Sequence, residues 1–229
     1  MSRQERAART RRALIRSAAA VFEECGYAQA SLALISAGAG VSAGALHFHF
    51  ESKAAVAAAV EAEALCALRA ASRDSRREGG CALQDLVDAT HSLASLLCWD
   101  TVTRAGFRIS CEGARGGEVD LHREWQDRVE RLLAAADGEG GLAAEVSRKD
   151  TAVAVVAATV GLEVLGRRDR EWLSRTSLTG FWRLLLPQIA APGQYARLEP
   201  AGLAVPVRGL PDGLSPVGAA DSCMAVARP

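Results

Sequence analysis

Apolar residues recur along this chain at intervals of three and four, broken by short polar or glycine-containing stretches, and no segment alternates with the period of two that a half-buried strand requires. The pattern predicts an all-α protein of about nine helices. A first helix is expected from about Thr10 to Cys25, with Ala13, Leu14, Ala18, Val21 and Phe22 on one face and Gly26 placed to end it. Ser31 is the cap expected for a second helix (Leu32, Leu34, Ile35, Ala37) that stops near Gly38 or Gly40. Ser42 caps a short third ending near Phe50, and Ser52 a long fourth that passes Leu68 toward Ser72. Beyond Gly79–Gly80, Leu83, Leu86, Val87, Leu93 and Leu97 mark a fifth helix. A sixth runs from Asp100 to about Cys111, and a seventh, containing Trp125, from Glu118 to Ala136. Gly138–Gly141 break the chain. Asp150 then caps an eighth helix that aligns Val153, Val156, Val160 and Val164, and Arg170 to Leu186 form a ninth closed by Pro187. From Pro192 the periodicity stops in a stretch rich in proline and glycine, which reads as a flexible tail. The expected division is 1–53, 54–190 and a tail of 191–229.

The segment Ser31–Lys53, SLALISAGAGVSAGALHFHFESK, is the most informative. Two brief helices joined by a glycine-containing turn have the geometry of a helix-turn-helix. Leu34, Ile35, Val41, Leu46 and Phe50 would pin the pair to the first and fourth helices. Ser42, Ala43, Gly44, His47 and Phe48 would then face outward, with small residues letting the backbone approach a groove. Ser31, Ser42 and Lys53 suit phosphate oxygens. Such a turn also occurs in any small helical bundle, so a second signal matters. The chain is neutral overall, yet up to Arg16 it carries Arg3, Arg6, Arg9, Arg11, Arg12 and Arg16 against Glu5 alone. A basic end on a neutral protein either meets an anion or merely solubilises. Its place directly upstream of the short helices favours DNA, with Arg3 and Arg6 among the contacts.

These residues carry a resemblance. Gly26–Tyr27 followed by Ala39–Gly40–Val41–Ser42–Ala43–Gly44–Ala45–Leu46–His47–Phe48–His49–Phe50–Glu51–Ser52–Lys53 resembles the signature of TetR-type regulators. The resemblance implies an N-terminal three-helix DNA-binding domain over 1–53 and a ligand-binding and dimerisation domain over 54–190. Two positions depart from the pattern: the family commonly has Lys or Arg where Ala43 stands and Tyr where His47 stands, both used on the DNA. Losing a cation there reduces the salt dependence of binding by about one counterion per half-site. The charge of His47 would respond to pH near 6–7 by its reference value.

Alone, the Leu, Val and Ala spacing of residues 80–190 says only helical core. Trp125, among Glu124, Gln126, Asp127 and Arg128, is an ordinary core tryptophan or a ring lining a cavity. A second resemblance bears on that choice. Asp100–Thr101–Val102–Thr103–Arg104–Ala105–Gly106–Phe107–Arg108–Ile109, then Glu112, then Trp125, is similar to the γ-butyrolactone autoregulator receptors, a TetR subfamily. It implies an effector cavity around Trp125, with Leu97, Phe107, Val156 and Thr159 placed on its wall by helical phase. It equally fits pseudo-receptors, which answer to an antibiotic or a biosynthetic intermediate. Val153, Val160 and Val164, with Leu178, Phe181, Trp182 and Leu185, supply more apolar surface than one small domain needs. Pairing two copies through the last two helices would bury it, as the family does.

The function expected is a repressor that binds a pseudo-palindromic double-stranded operator as a homodimer. A small apolar effector, of γ-butyrolactone type, would release it, in control of secondary metabolism. The rival from another class is a helical partner-binding protein that has lost DNA binding. An enzyme is not expected: the chain has no nucleophile elbow, phosphate loop, HExxH or paired acid–base constellation. No cofactor is implied. His47 and His49 point apart on a short helix, and Cys25, Cys66, Cys81, Cys98, Cys111 and Cys223 match no zinc spacing, so no metal is expected. The cysteines read as buried thiols. No apolar run is long enough for a membrane helix and no secretory signal is present, which makes the cytoplasm the expected location.

Overall fold

The computed structural model describes residues 2–74, 80–112 and 119–202. Within them the chain forms helices α1 (Arg3–Gln29), α2 (Leu32–Gly38), α3 (Ala43–His49), α4 (Lys53–Asp74) and α5 (Ala82–Trp99). These are followed by α6 (Thr101–Cys111), α7 (Leu121–Gly138), α8 (Arg148–Gly166) and α9 (Arg175–Ile189). Short 3₁₀ turns occupy Arg170–Leu173 and Tyr195–Arg197. Among the described residues no strand forms, only an isolated bridge between Leu142 and Ala190. No single described helix is long and apolar enough to cross a membrane.

Capping chemistry explains where helix ends depart from the periodicity. The Ser2 hydroxyl accepts from the Glu5 N–H, while the Glu5 carboxylate accepts from the Ser2 N–H at 2.6 Å, a reciprocal capping box. Helix α1 therefore starts at Arg3 rather than Thr10, and the arginines are helical from the outset. Ser147, not Asp150, caps α8; its hydroxyl accepts from the Asp150 N–H. Asp169 caps the Arg170–Leu173 turn and Ser174 caps α9, so the expected ninth helix is two elements. Pro187 lies inside the last turn of α9 rather than ending it. Glu118, expected to open the seventh helix, lies outside the described residues.

Among the described residues the helices group into two compact units, one drawn from 1–68 and 100–122 and the other from 69–99 and 123–229. The break expected at residue 53 falls instead on the first residue of α4, inside the first unit. That unit buries Leu14, Ile15, Ala18 and Phe22 of α1 with Ile35, Leu46, Val56, Val60, Ala105 and Phe107. The second buries Leu83, Leu86, Val87 and Leu97 of α5 with Trp125, Val129, Val155, Leu178 and Trp182.

Residues 192–202, expected to open a flexible tail, are held in the second unit. Glu199 donates its N–H to Gln84 Oε1 at 2.8 Å and accepts from Gln84 Nε2 at its own carbonyl. His91 Nε2 donates to the Pro200 carbonyl at 3.0 Å, and Arg175 Nη2 donates to that of Gly202 at 2.7 Å. Burial pulls the His91 pKa below its ordinary value. The remainder of the tail, with Cys223, lies outside the described residues. Of the five described cysteines Cys98 is buried as expected, whereas Cys66 and Cys111 are exposed and Cys25 and Cys81 half-buried.

Gly26 interrupts α1 with φ +77° and ψ 168°, after which a last turn runs to Gln29. This backbone region is essentially reserved for glycine. A Cβ would also sit 3.0 Å from Arg108 Nη2 and 3.1 Å from Glu112 Oε1. Gly26→Ala is therefore expected to lower stability by about 1–3 kcal/mol, read as a fall in the thermal midpoint. An unchanged midpoint would show that the turn is not held in this conformation.

Candidate nucleic-acid interface and effector cavity

The axes of α2 and α3 differ by 104° across the Ala39–Ser42 turn, where Gly40 takes φ +66°. This is the crossing of a helix-turn-helix. Ser31 and Ser42 cap the two helices, their hydroxyls accepting from the Leu34 and Ala45 N–H groups at 3.2 Å each. Ser17 of α1 donates to the Ile35 carbonyl at 2.7 Å and sits where a Cβ on Gly38 would be, which brings α1 and α2 into close contact. Ile35, Leu46 and Phe50 are buried, whereas Val41 is half-buried and Leu34, expected to pin the pair, is 53% exposed. Ser42, Ala43, Gly44, His47 and Phe48 face outward together, and Phe48 is 76% exposed. Along α1, Arg3, Arg6, Arg9, Arg11, Arg12 and Arg16 are all exposed, with Arg11 lying 5.2 Å from the Phe50 ring centroid.

Lys53 does other work than the phosphate contact expected of it. Its Nζ donates to the carbonyls of Tyr27, Ala28 and Ala30 at 2.8, 3.2 and 2.9 Å and lies 4.6 Å from the Tyr27 ring centroid. An ammonium has three donors, and all three are used on the orphan carbonyls at the end of α1. Lys53 is a clamp for that helix end.

Helix α6 grips the same place. Arg104 pairs with the Glu23 carboxylate, and Arg108 donates to the Glu23 carbonyl and to Glu112. Glu112 Oε2 accepts the Tyr27 N–H at 3.0 Å. Asp100 caps α6, accepting from the Val102 and Thr103 N–H groups. Sequence reasoning missed this clamp. Its signal was Arg104, Arg108 and Glu112 at four-residue spacing, one stripe of charge on an otherwise apolar helix.

In the second unit Thr90, Leu93, Ala94, Leu97, Thr159, Leu162, Leu173 and Leu178 line a small cavity. The space between them is large enough for about one water molecule at most. Its two hydroxyls are engaged by indoles. Trp125 Nε1 donates to Thr159 Oγ1 at 2.8 Å and Trp182 Nε1 to Thr90 Oγ1 at 2.7 Å. Of the residues expected around an effector, Leu97 and Thr159 share this cavity and the buried Trp125 adjoins it through Thr159. Val156 is half-buried and outside the lining. Phe107 belongs to the first unit, where its ring meets His122 edge-on.

Comparison with known proteins decides the family. Residues 14–60 match the profile described as bacterial regulatory proteins, tetR family. The chain is 34% identical over 206 residues to the A-factor receptor protein of Streptomyces griseus, covering 88% of this chain and 71% of that one. It belongs to the TetR family, in the subfamily of γ-butyrolactone receptors and pseudo-receptors. A solved γ-butyrolactone receptor described as ArpA-like superposes with a TM-score of 0.74 at 27% identity, covering 84% of this chain and 94% of that one. CprB of Streptomyces coelicolor, solved in complex with its operator, does so with a TM-score of 0.71 at 28% identity over 84% and 94%.

In this TetR-family chain the face expected to pair two copies is partly core. Leu178 and Trp182 are sealed within the second unit and are corrected to core residues, the Trp182 indole being spent on Thr90. The surface instead shows Val153, Val164 and Leu184 at 61, 45 and 78% exposure, with Val160, Phe181 and Leu185 half-buried. Gly161 and Gly180 have nothing within 4 Å of a Cβ position. Leu184 was not anticipated.

One buried carboxylate of the TetR-family DNA-binding unit stands apart. Glu61 of α4 is 3% exposed; Oε1 accepts from Ser110 at 3.2 Å, while Oε2 is buried without a hydrogen-bond partner. Burial raises its pKa above the ordinary carboxylate range, the Ser110 hydroxyl opposes this, and Asp120 adds to the rise. A carboxyl whose folded pKa is raised favours the folded state below its unfolded value, and that stabilisation is lost as pH rises through the folded value. Glu61→Gln should therefore raise the thermal midpoint at pH 7, with the gain vanishing as the pH is brought to about 4. A variant less stable than the parent at pH 7 would contradict this.

Proposed function

We propose that this chain is a ligand-released transcriptional repressor that binds a pseudo-palindromic operator as a homodimer and controls secondary metabolism. The observation that carries this reading is the outward face of Ser42, Ala43, Gly44, His47 and Phe48 beside an arginine-covered α1 in the same unit. The arginines supply the sequence-independent attraction to phosphate, and α3 enters the major groove. Two copies paired through Val153, Val160, Val164, Phe181, Leu184 and Leu185 place two α3 helices on half-sites about 34–36 Å apart, or a multiple of that. The open positions at Gly161 and Gly180 allow helix backbones of the two copies to approach closely.

The effector is a small, largely apolar molecule with a hydrogen-bonding oxygen, of γ-butyrolactone type. The cavity wall is aliphatic and its polar groups are already paired, so an effector enters by parting the lining helices and taking the Trp125 N–H from Thr159. Helix α5, which supplies four lining residues, is followed directly by Asp100 and α6. Displacing its end carries α6, and the α6 clamp hands the movement to the end of α1.

Titrating a synthetic γ-butyrolactone into the operator complex should weaken DNA binding by about 5–150-fold, the range of ordinary allosteric coupling. If no lactone or pathway intermediate ever weakens it, the switch is refuted. Leu184→Glu places a charge in the paired face. It should leave the fold intact by circular dichroism, shift the protein to monomer in sedimentation, and weaken operator binding with it. A dimeric variant would move the interface elsewhere.

A further inference from the structure

From Ser31 to Phe50 the chain contains no Arg, Lys, Asn, Gln, Asp or Glu. Bidentate recognition in the major groove uses Arg or Lys on guanine and Asn or Gln on adenine, and a carboxylate accepts from cytosine. None of these is available on α2 or α3. The Ser31 and Ser42 hydroxyls already accept from backbone N–H groups. His47 has an exposed imidazole, a single point of contact rather than a fork. Lys53, the nearest cation in sequence, is committed to three backbone carbonyls. What the outward face does present is Ala43, at the start of α3, and the Phe48 ring five residues later, more exposed than any other large apolar residue of the first unit.

An aromatic side chain held in water on a surface flanked by buried Leu46 and Phe50 contributes nothing to the core. The only base feature in the major groove that an apolar side chain can read is the C5-methyl group of thymine. Resting on the repressor reading, we propose that Phe48 recognises a thymine methyl group while the small Ala43 lets α3 approach the groove, so that each half-site is specified by a thymine under α3 rather than by hydrogen bonds to guanine. Affinity comes from the α1 arginines and sequence selectivity from apolar contact. An aromatic wedge inserted between base steps is the competing use of such a ring, and it would not sense the methyl.

The test uses the full-length dimer and the fragment upstream of its own gene that it protects in footprinting. That fragment is copied with dUTP in place of dTTP, which removes every 5-methyl group and keeps the hydrogen-bonding edges. Wild-type protein should bind the uracil copy about fourfold more weakly per contacted methyl, and so about sixteenfold over two half-sites with one methyl each. Phe48→Ala should bind both copies with nearly equal affinity, close to that of wild type for the uracil copy, and should keep its thermal midpoint because the ring is exposed. Equal binding of both copies by wild type overturns the proposal and leaves the repressor reading standing. Discrimination that survives in Phe48→Ala removes Phe48 from the assignment and overturns it likewise. A chain that protects no promoter DNA at low salt overturns the repressor reading itself.

Discussion

The end of α1 is the point on which the DNA-binding unit depends. After Glu23 the helix leaves carbonyls without intrahelical partners, and Gly26 turns the backbone through a region closed to other residues. Those groups are satisfied from outside the helix. Lys53 at the start of α4 takes three carbonyls, Arg108 of α6 takes a fourth, and Glu112 of α6 accepts the Tyr27 N–H. Three helices are thereby fixed to one another by hydrogen bonds that have preferred directions, which apolar packing alone lacks. Because Ser17 of α1 also holds the Ile35 carbonyl of α2, the orientation of the helix-turn-helix follows from the same arrangement. On the repressor reading, a displacement of α6 reaches the recognition surface through these hydrogen bonds.

This arrangement separates two tasks that a single helix usually combines. All arginines and lysines of the N-terminal region outside Lys53 lie on α1, and the turn and α3 carry none. On the repressor reading, the salt-dependent attraction and the discrimination between sequences then reside on different elements and respond to different perturbations. Removing an arginine of α1 alters attraction for every sequence, whereas altering α3 changes which sequence is preferred. The Arg11 guanidinium rests over the ring of Phe50, at the end of α3.

Periodicity made the fold class and the helix-turn-helix legible, because buried Leu14, Ile15, Phe22, Ile35, Leu46 and Phe50 obey the spacing that defines a helix face. Local capping was less legible. Ser2 with Glu5 is a capping box in plain view, yet it lies ahead of the first apolar residue, where a search guided by hydrophobicity does not look. The contacts that escaped entirely join residues far apart in sequence through polar groups: Arg104 with Glu23, Glu112 with Tyr27, Gln84 with Glu199. No composition or period announces them. The aligned valines of α8 and the apolar residues of α9 show the limit of periodicity itself. It identified two helices with an excess of apolar surface, but assigning Trp182 to the core and Leu184 to the surface required knowing which arc faces α5.

The effector cavity places a physical condition on any switch built here. In the closed packing Trp125 and Trp182 have their indole N–H groups paired with Thr159 and Thr90, and the aliphatic wall leaves almost no free space. On the repressor reading, an effector binds only a rearranged second unit, so part of its binding free energy is consumed in opening that unit. If the rearranged state is also the one that binds DNA poorly, ligand and operator oppose each other by an equal factor in both directions. The stability of the Trp125–Thr159 pair then sets the sensitivity of the response. A stronger pair demands more effector, and a weaker one lets the repressor leave DNA unprompted. The tightness of the packing around a core tryptophan is in this sense the adjustable quantity of the sensor, because a loosely packed cavity would accept the effector without any rearrangement for the operator to feel.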